Sequence, residues 1–224
     1  EESISISGSA ITELSISLMD GWNLISGIST PVNVNNIVDP DDLIIPGTIY
    51  GFEDGYVEAG SIEPGHGYWL RSSGDGEITL SASVNSNRVS SFEMPEHLNR
   101  LTFNSASLYF SEDLSEENML SYSLPPRPPL GAMDIRFSGD TKLCGFDNCV
   151  IEVMDDDGLL TLKFYIRNGE AWEIIDESGN VTSCSEILDM EMNNDSGQIV
   201  LRKSMAIPIP KSYALHSAYP NPFN

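Results

Sequence analysis

The sequence contains few basic residues, and this shortage excludes several classes of partner. Its 224 residues include 11 Lys+Arg against 34 Asp+Glu, which gives a net charge of −23. A chain this acidic repels phosphate backbones, and it has no basic stripe or Arg-rich run to offset the repulsion. We therefore expect it to bind neither nucleic acid nor an anionic membrane surface. The acidity fits a protein kept soluble at high salt or high concentration, or one that collects divalent cations.

Long apolar runs are absent as well. A membrane-spanning helix needs about 18 or more predominantly apolar residues in a row, and no window of this sequence approaches that length. The opening residues Glu1-Glu2-Ser3 lack the basic start and the apolar stretch of a signal peptide. We expect no insertion into a membrane.

Motifs that carry catalysis are missing too. The three histidines are His66, His97 and His216, and none stands in a His-x-x-x-His or His-Glu-x-x-His spacing. The sequence has no Gly-x-Ser-x-Gly elbow for a serine nucleophile and no phosphate-binding glycine loop. We predict that the chain is not an enzyme. The hydrolase alternative would need a triad assembled across the fold from His66, an Asp and a Ser.

Cysteine is scarce: the chain has Cys144, Cys149 and Cys184. The first two flank residues 145–148, which we interpret as a tight turn between two apolar runs. Cysteines on facing strands beside a short turn reach the Cα spacing of a disulfide. A zinc site is the alternative, but a Cys-x4-Cys spacing without a second pair or a neighbouring histidine is weak evidence for zinc. We predict a Cys144–Cys149 disulfide that closes a hairpin loop, a free Cys184, and an oxidising, extracellular location.

Short alternating runs are abundant. Glu13–Leu18 alternates small polar with apolar residues at period two, which is typical of a half-buried strand. Clusters of Gly, Pro, Asn and Asp separate such runs along most of the chain. The clearest hairpin signal joins Leu159–Arg167 to Ala171–Ile175, because Asn168-Gly169 between them suits a type I′ turn. The expected fold class is all-β, with two small antiparallel β-domains: a barrel-like or sandwich-like one, then an immunoglobulin-like sandwich.

Two changes in composition divide the chain. Ala82–Arg88 is a Ser/Asn-rich stretch without apolar periodicity, and alternating prolines in Ser204–Lys211 forbid a regular helix and a central strand alike. We predict an aromatic-rich small β-domain at 1–85, a β-sandwich domain at 86–204, and a proline-containing linker with a short tail at 205–224. Within the second domain, Leu124–Pro129 should run as an extended polyproline segment between strands.

Acidic clusters raise the question of a bound cation. The densest is Asp155-Asp156-Asp157-Gly158, and oxygen ligands in a tight turn are what calcium requires. The twelve-residue calcium loop with its closing Glu is not matched, however, and alternate side chains of a contiguous run point apart. We favour a solvated turn and expect no cofactor, with structural calcium at Asp155, Asp156 and Asp157 as the alternative.

Aromatic residues are dense in the predicted first domain: Trp22, Tyr50, Phe52, Tyr56, Tyr68 and Trp69. Exposed Trp and Tyr rings can stack on the faces of sugars, whereas alternating aromatics can also fill a small β core. Tyr68 and Trp69 cannot both face inward from one strand, so one of them must point outward or to a rim. We take Tyr56, Tyr68 and Trp69 as possible glycan contacts and expect Trp22 to be largely buried.

The end of the chain carries its most specific motif. Leu215 is followed by the run Tyr219-Pro220-Asn221-Pro222-Phe223-Asn224. This segment resembles the opening of the C-terminal sorting domain found in cargo of the type IX secretion system, although the rest of that domain is absent. The resemblance implies a partner, the secretion apparatus, and a secreted or cell-surface location.

Two further stretches resemble modules that precede this signal in such cargo. Gly21–Ser26, with a "Trp-Asn-Leu" strand, and Glu63–Leu70, with a "Pro-Gly-x-Gly-Tyr-Trp" strand, are similar to a small repeating β-module. Leu108–Phe110, Tyr122–Pro126 and Met133–Gly139 are similar to the region between that module and the sorting domain. The resemblance implies secretion and surface display but no reaction.

These observations leave two hypotheses for function. The first is a non-catalytic structural or adhesive module of a secreted, surface-displayed bacterial protein. The second is a glycan-binding module accessory to a degradative enzyme, with a cell-surface or extracellular polysaccharide as partner. An outward-facing row of aromatics on one sheet would favour glycan binding, whereas aromatics buried among Leu and Ile would favour the structural role.

The tail motif predicts an effect on export. Deleting Tyr213–Asn224 should leave folding intact, because prolines in the linker and in the motif prevent strand pairing. In a full-length protein expressed in a host with the type IX apparatus, the same deletion should abolish appearance of the protein outside the cell, measured by immunoblotting of the medium. A destabilised, protease-sensitive core after the deletion would show instead that the tail is an integral strand.

Overall fold

The computed structural model describes residues 8–83, 92–103, 106–111, 114, 118–145, 148–154, 159–167, 169–184, 187–193 and 198–204. In these ranges the regular structure consists of β-strands and short 3₁₀ helices, and the sheets are almost entirely antiparallel. The prediction of an all-β fold is therefore confirmed. No helix in the described ranges is long and apolar enough to span a membrane.

The N-terminal half (residues 8–83) contains three small antiparallel sheets, ordered β2-β7-β4-β5, β1-β8 and β3-β6. Alternation places one face of each sheet inward, and the inward residues share a core that includes Leu18, Ile25, Ile37, Leu70 and Ile78. None of the described sheets closes into a barrel, which leaves the sandwich-like alternative. A 3₁₀ helix spans Val34–Asn36, and the strands are β1 (Glu13–Leu18), β2 (Gly21–Ser26), β3 (Val32–Asn33), β4 (Ile44–Phe52), β5 (Tyr56–Glu58), β6 (Ser61–Ile62), β7 (Gly67–Ser72) and β8 (Gly76–Ser81).

The C-terminal half (residues 92–204) is a sandwich of two five-stranded sheets, ordered β12-β10-β9-β14-β17 and β11-β13-β18-β15-β16. Buried residues of both sheets form one core, in which the Phe110 ring meets the fully buried Trp172 ring edge-on at 4.7 Å. A 3₁₀ helix spans Met119–Tyr122. The strands are β9 (Asn99–Phe103), β10 (Ala106–Phe110), β11 (Asp134–Phe137), β12 (Leu143–Cys144), β13 (Cys149–Met154), β14 (Leu159–Tyr165), β15 (Trp172–Ile175), β16 (Val181–Cys184), β17 (Ile187–Asn193) and β18 (Gln198–Lys203).

The predicted hairpin around Asn168-Gly169 is wrong. Gly169 does adopt a positive φ of 67°, as a tight turn requires. The strands on either side, however, belong to different sheets: β14 pairs with β9 and β17, whereas β15 pairs with β16 and β18. The turn therefore carries the chain across the sandwich from one sheet to the other.

The Cys144–Cys149 disulfide is confirmed, and the Cα atoms of the pair lie 6.0 Å apart. The hairpin predicted around it is wrong, because β12 and β13 are in different sheets. The bond therefore joins the two sheets at one edge of the sandwich. Cys184 is a free thiol, as predicted, and burial raises its pKa to about 11.

The proline-rich segment 124–129 contains neither helix nor strand, as its prolines require, and its polyproline conformation stays a prediction. It is fixed to β11 through the buried Arg136, whose guanidinium donates to the Pro125 carbonyl at 2.9 Å. The same guanidinium pairs with Asp134 and with Asp140. These bonds hold an irregular segment against the sandwich, next to the N-terminal half.

The cysteine arrangement predicts a labelling pattern. Alkylation of the native protein without reductant should modify no cysteine, because Cys184 is buried and its raised pKa keeps it a thiol at neutral pH. Alkylation in denaturant without reductant should modify one, measured by intact mass. Replacing Cys144 and Cys149 together with Ser should lower the free energy of unfolding by about 2 kcal/mol, as expected for a short closed loop. Three modified cysteines in denaturant would contradict the disulfide.

Candidate binding face

The four-stranded sheet of the N-terminal half carries large side chains on both faces. One face packs into the core through Ile25, Ile49 and Leu70. The strand register places the neighbouring positions on the opposite face, where Leu24 lies beside Trp69 and Trp69 lies beside Tyr50. We call this opposite side the outer aromatic face; it consists of Trp22, Leu24, Tyr50, Phe52, Tyr56, Trp69 and Arg71.

The aromatic rings on this face form a continuous row across the strands. Trp22 contacts Trp69 with ring centroids 6.5 Å apart and Tyr50 with centroids 6.1 Å apart. Tyr56 continues the row, at 6.3 Å from Tyr50 and 5.4 Å from Phe52. Interplanar angles of 55° to 85° show that neighbouring rings are tilted or edge-on to each other. Such pairs are favourable arrangements of aromatic rings, so the row is fixed before any partner binds.

The row is covered at Tyr50, and the side chains on either side of this ring are more exposed. Leu24 is 66% exposed and Phe52 is 44% exposed, while Trp22 and Trp69 are half-buried. Tyr50 is only 3% exposed, because the C-terminal half covers it. Exposed apolar surface of this kind is typical of a site that meets a partner.

One basic side chain lies beside the tryptophan rings of the row. Arg71 lies opposite Trp22 in the strand pairing, and its guanidinium carbon is 5.8 Å from the centre of the Trp22 ring. A cation at this distance is attracted by the negative face of the indole. The arrangement puts a hydrogen-bond donor next to an aromatic ring.

The residues around the covered Tyr50 ring hold the two halves of the protein together. The Tyr56 hydroxyl donates to the Pro126 carbonyl at 2.6 Å. Lys142, which is buried, pairs with Glu58 and lies 5.4 Å from the centre of the Tyr50 ring. These contacts fix the C-terminal half against one edge of the outer aromatic face.

The predicted glycan contacts Tyr56 and Trp69 both lie on the outer aromatic face, but Tyr68 does not. Tyr68 is 6% exposed and belongs to the core, and its hydroxyl accepts a hydrogen bond from the Glu63 amide at 2.9 Å. Tyr68 is therefore wrong as a surface contact: strand alternation sends it inward and its neighbour Trp69 outward. Trp22 is half-buried against the rings of Tyr50 and Trp69 on the outer face, and it is not part of the core.

Leu24 and Phe52 also belong to the face, and the sequence interpretation did not select them as contacts. The signal that identifies them is the alternation itself, since Leu24 follows Trp22 by two residues and Phe52 follows Tyr50 by two.

The remaining predicted sites lie elsewhere. The calcium candidates Asp155, Asp156 and Asp157 fall outside the described residues, and so does the sorting motif from Leu215 to Asn224. Within the described ranges, no group of three or more His, Cys, Asp or Glu side chains is placed to hold a metal ion. His66 is exposed in the turn before β7. Comparisons with protein-family models, curated proteins and solved structures find no match for this chain.

The outer position of Trp22 predicts a difference between two tryptophan variants. Trp172→Ala should lower the free energy of unfolding by about 3–5 kcal/mol, because Trp172 is fully buried in the sandwich core. Trp22→Ala should cost about 1–2 kcal/mol, because Trp22 lies outside the core and its loss removes only the contacts with Tyr50, Trp69 and Arg71. Chemical denaturation with matched m-values checks both variants. Equal losses would show that Trp22 is a core residue.

Proposed function

We propose that the chain is a non-catalytic binding module of a secreted surface protein, and that the outer aromatic face binds a glycan. The observation that carries this proposal is the row of aromatic rings facing outward from one sheet. The N-terminal core is complete without these rings, because Ile, Leu and Val side chains and Tyr68 fill it from the other face. An aromatic row that the core does not require favours a role in binding.

The charge of the protein supports a neutral partner. With a net charge of −23, the chain repels sulfated, phosphorylated and uronic-acid polymers over a Debye length of about 10 Å at 0.1 M salt. A neutral polysaccharide avoids this repulsion. Its sugar rings offer an apolar face to Trp22 and Trp69, and its hydroxyl groups can accept hydrogen bonds from Arg71.

Secretion is part of the same proposal and has two supports. The first is the resemblance of Leu215 and Tyr219–Asn224 to the start of a type IX sorting signal. The second is the Cys144–Cys149 disulfide, since structural disulfides persist in oxidising compartments outside the cytosol. A secreted binding module meets extracellular polysaccharide directly.

A structural role remains the second candidate function. Tyr50, Tyr56 and Glu58 are used to attach the C-terminal half, so part of the aromatic row contributes to the internal architecture. On this hypothesis the module is a rigid spacer that displays its neighbours on a cell surface. The exposed Leu24 and Phe52 argue against it, because a spacer has no need of an exposed apolar row.

Affinity electrophoresis in gels containing neutral polysaccharides tests the proposal. The full chain should be retarded by at least one of cellulose ethers, mixed-linkage β-glucan, xylan, galactomannan or starch. Trp22→Ala and Trp69→Ala should each weaken the retarding interaction about tenfold, which corresponds to about 1.4 kcal/mol per variant. Both variants should remain folded by circular dichroism.

Val181→Ala is the matched control, because Val181 is an exposed apolar residue on β16 of the C-terminal half. It should be retarded like the unmodified chain. A lack of retardation in every gel, or equal retardation of the Trp22 and Trp69 variants, would contradict glycan binding at this face and leave the structural role.

A further inference from the structure

A cavity lies between the two halves of the protein, beside Tyr50 and Tyr56 of the outer aromatic face. Its volume is about 260 Å³. Tyr50, Tyr56 and Glu58 line it from the N-terminal half, while Tyr109, Asp134 and Lys142 line it from the C-terminal half. Drug-sized ligands occupy pockets of about 300–1,000 Å³, so this cavity suits a smaller molecule.

The hydroxyl of Tyr50 is the polar group that this architecture leaves unexplained. It is buried, and none of the described residues offers it a hydrogen-bond partner. A buried hydroxyl without a partner is unfavourable, so such a group calls for an explanation. Burial, followed by the nearby Glu58 carboxylate, raises the pKa of Tyr50, so the hydroxyl keeps its proton and can both donate and accept.

The charged groups around the cavity neutralise each other. Lys142 pairs with Glu58. Asp134 pairs with the buried Arg136, whose Nη2 atom lies 2.8 Å from an oxygen of that carboxylate. Arg136 lies behind the lining and also pairs with Asp140. Each of the three charged side chains that line the cavity, Glu58, Asp134 and Lys142, therefore already has an ionic partner. The carboxylate oxygens, the Lys142 ammonium and the tyrosine hydroxyls offer both acceptors and donors to a neutral molecule rich in hydroxyl groups.

The apolar part of the lining is equally specific. Tyr50 and Tyr56 belong to both the outer aromatic face and the cavity, so the aromatic row runs into it without interruption. Leu124 and Met133 add aliphatic surface from the C-terminal half. A mixed lining of aromatic, aliphatic and hydrogen-bonding groups matches a sugar ring, which has apolar C–H faces and a polar rim.

We infer that the cavity binds one neutral sugar residue, the terminal residue of the chain held by the outer aromatic face. The identity of this residue as the end of a longer chain rests on the proposed function. The argument for its binding in the cavity has two parts: the Tyr50 hydroxyl lacks a partner among the described residues, and the charged side chains of the lining are already ion-paired. The C-terminal half covers the row at Tyr50, so a polymer held by Trp22 and Trp69 meets the cavity with its end and does not lie across the covered ring.

NMR of the full chain with ¹³C-labelled methionine methyl groups tests the inference directly. Met133 lines the cavity, and Met19 is 71% exposed in the N-terminal half and does not line it. The probes are D-glucose, D-galactose, D-mannose, D-xylose, L-fucose and N-acetyl-D-glucosamine, each added as the free sugar. At least one should shift the Met133 methyl resonance saturably and leave Met19 unchanged. Met133→Leu assigns the resonance. An absence of any saturable Met133 shift would overturn the inference.

Tyr50→Phe removes the hydroxyl and keeps the ring. It should weaken sugar binding about tenfold and leave the protein at least as stable as before, because the hydroxyl has no partner among the described residues. Tyr165→Phe is the matched control, since Tyr165 lies on β14 and does not line the cavity. It should leave the Met133 titration unchanged. Equal sugar binding by the Tyr50 variant and the unmodified chain would also overturn the inference.

The Trp22 and Tyr50 variants distinguish a sugar site in the cavity from glycan binding on the outer aromatic face. Trp22→Ala should reduce retardation by polysaccharide but leave the monosaccharide shift of Met133 intact, because Trp22 does not line the cavity. The binding of an oligosaccharide cut from the retarding polymer should be weakened by Trp22→Ala and also by Tyr50→Phe. Retardation without any Met133 shift would overturn the cavity site alone. A Met133 shift without retardation would overturn the proposed function and the chain-end assignment, while supporting a sugar site in the cavity.

Discussion

The four-stranded sheet β2-β7-β4-β5 has large apolar side chains on both faces, and most of the architecture follows from where each face is placed. Ile25, Ile49 and Leu70 on the inner face form part of the N-terminal core. The outer face cannot be solvated completely without exposing a broad aromatic surface. Part of it is covered by the C-terminal half, and the rest remains open to solvent.

The attachment of the two halves depends on an unusual use of a scarce residue type. Lys142 is one of 11 basic residues in the chain, and the structure buries it between Glu58 and the rings of Tyr50 and Phe92. Burying a lysine is unfavourable unless it is paired, so removing Glu58 would leave a buried charge without its carboxylate partner. The Tyr56 hydroxyl bond to Pro126 adds a neutral contact at the same edge. Both contacts join a residue of the N-terminal half to one of the C-terminal half, and Tyr56, Glu58 and Lys142 also line the cavity.

Strand positions could be predicted from the sequence because alternation and turn residues are local signals. Glu13–Leu18 has the same bounds in the sequence interpretation and in the structure, and Gly169 adopts the positive φ that a type I′ turn requires. Strand partners could not be predicted in the same way. A tight turn at Asn168-Gly169 permits either a hairpin or a crossing between sheets, and the choice depends on which distant strand, such as β18, occupies the neighbouring position. The strands beside the cysteines were misassigned for the same reason.

The candidate site shows the same division between local and distant information. Alternation required that Tyr68 and Trp69 point in opposite directions, but it did not state which of them faces the core. The burial of Tyr50 could not be predicted from local sequence patterns. It depends on a surface contributed by residues more than fifty positions away, among them Tyr109 and Lys142. Sequence patterns place side chains on faces of strands, and only the packing of whole sheets determines which faces are covered.

Fluorescence quenching of the three tryptophans tests the central claim most directly. Trp172 is fully buried, so in a Trp172→Phe background the emission comes from Trp22 and Trp69 on the outer aromatic face. Acrylamide should quench this emission readily in the free protein. A neutral polysaccharide that retards the chain should reduce the quenching constant in proportion to the fraction bound, because sugar rings on the face exclude the quencher. An unchanged quenching constant at saturating polysaccharide would show that the glycan binds elsewhere and would contradict the assignment of this face.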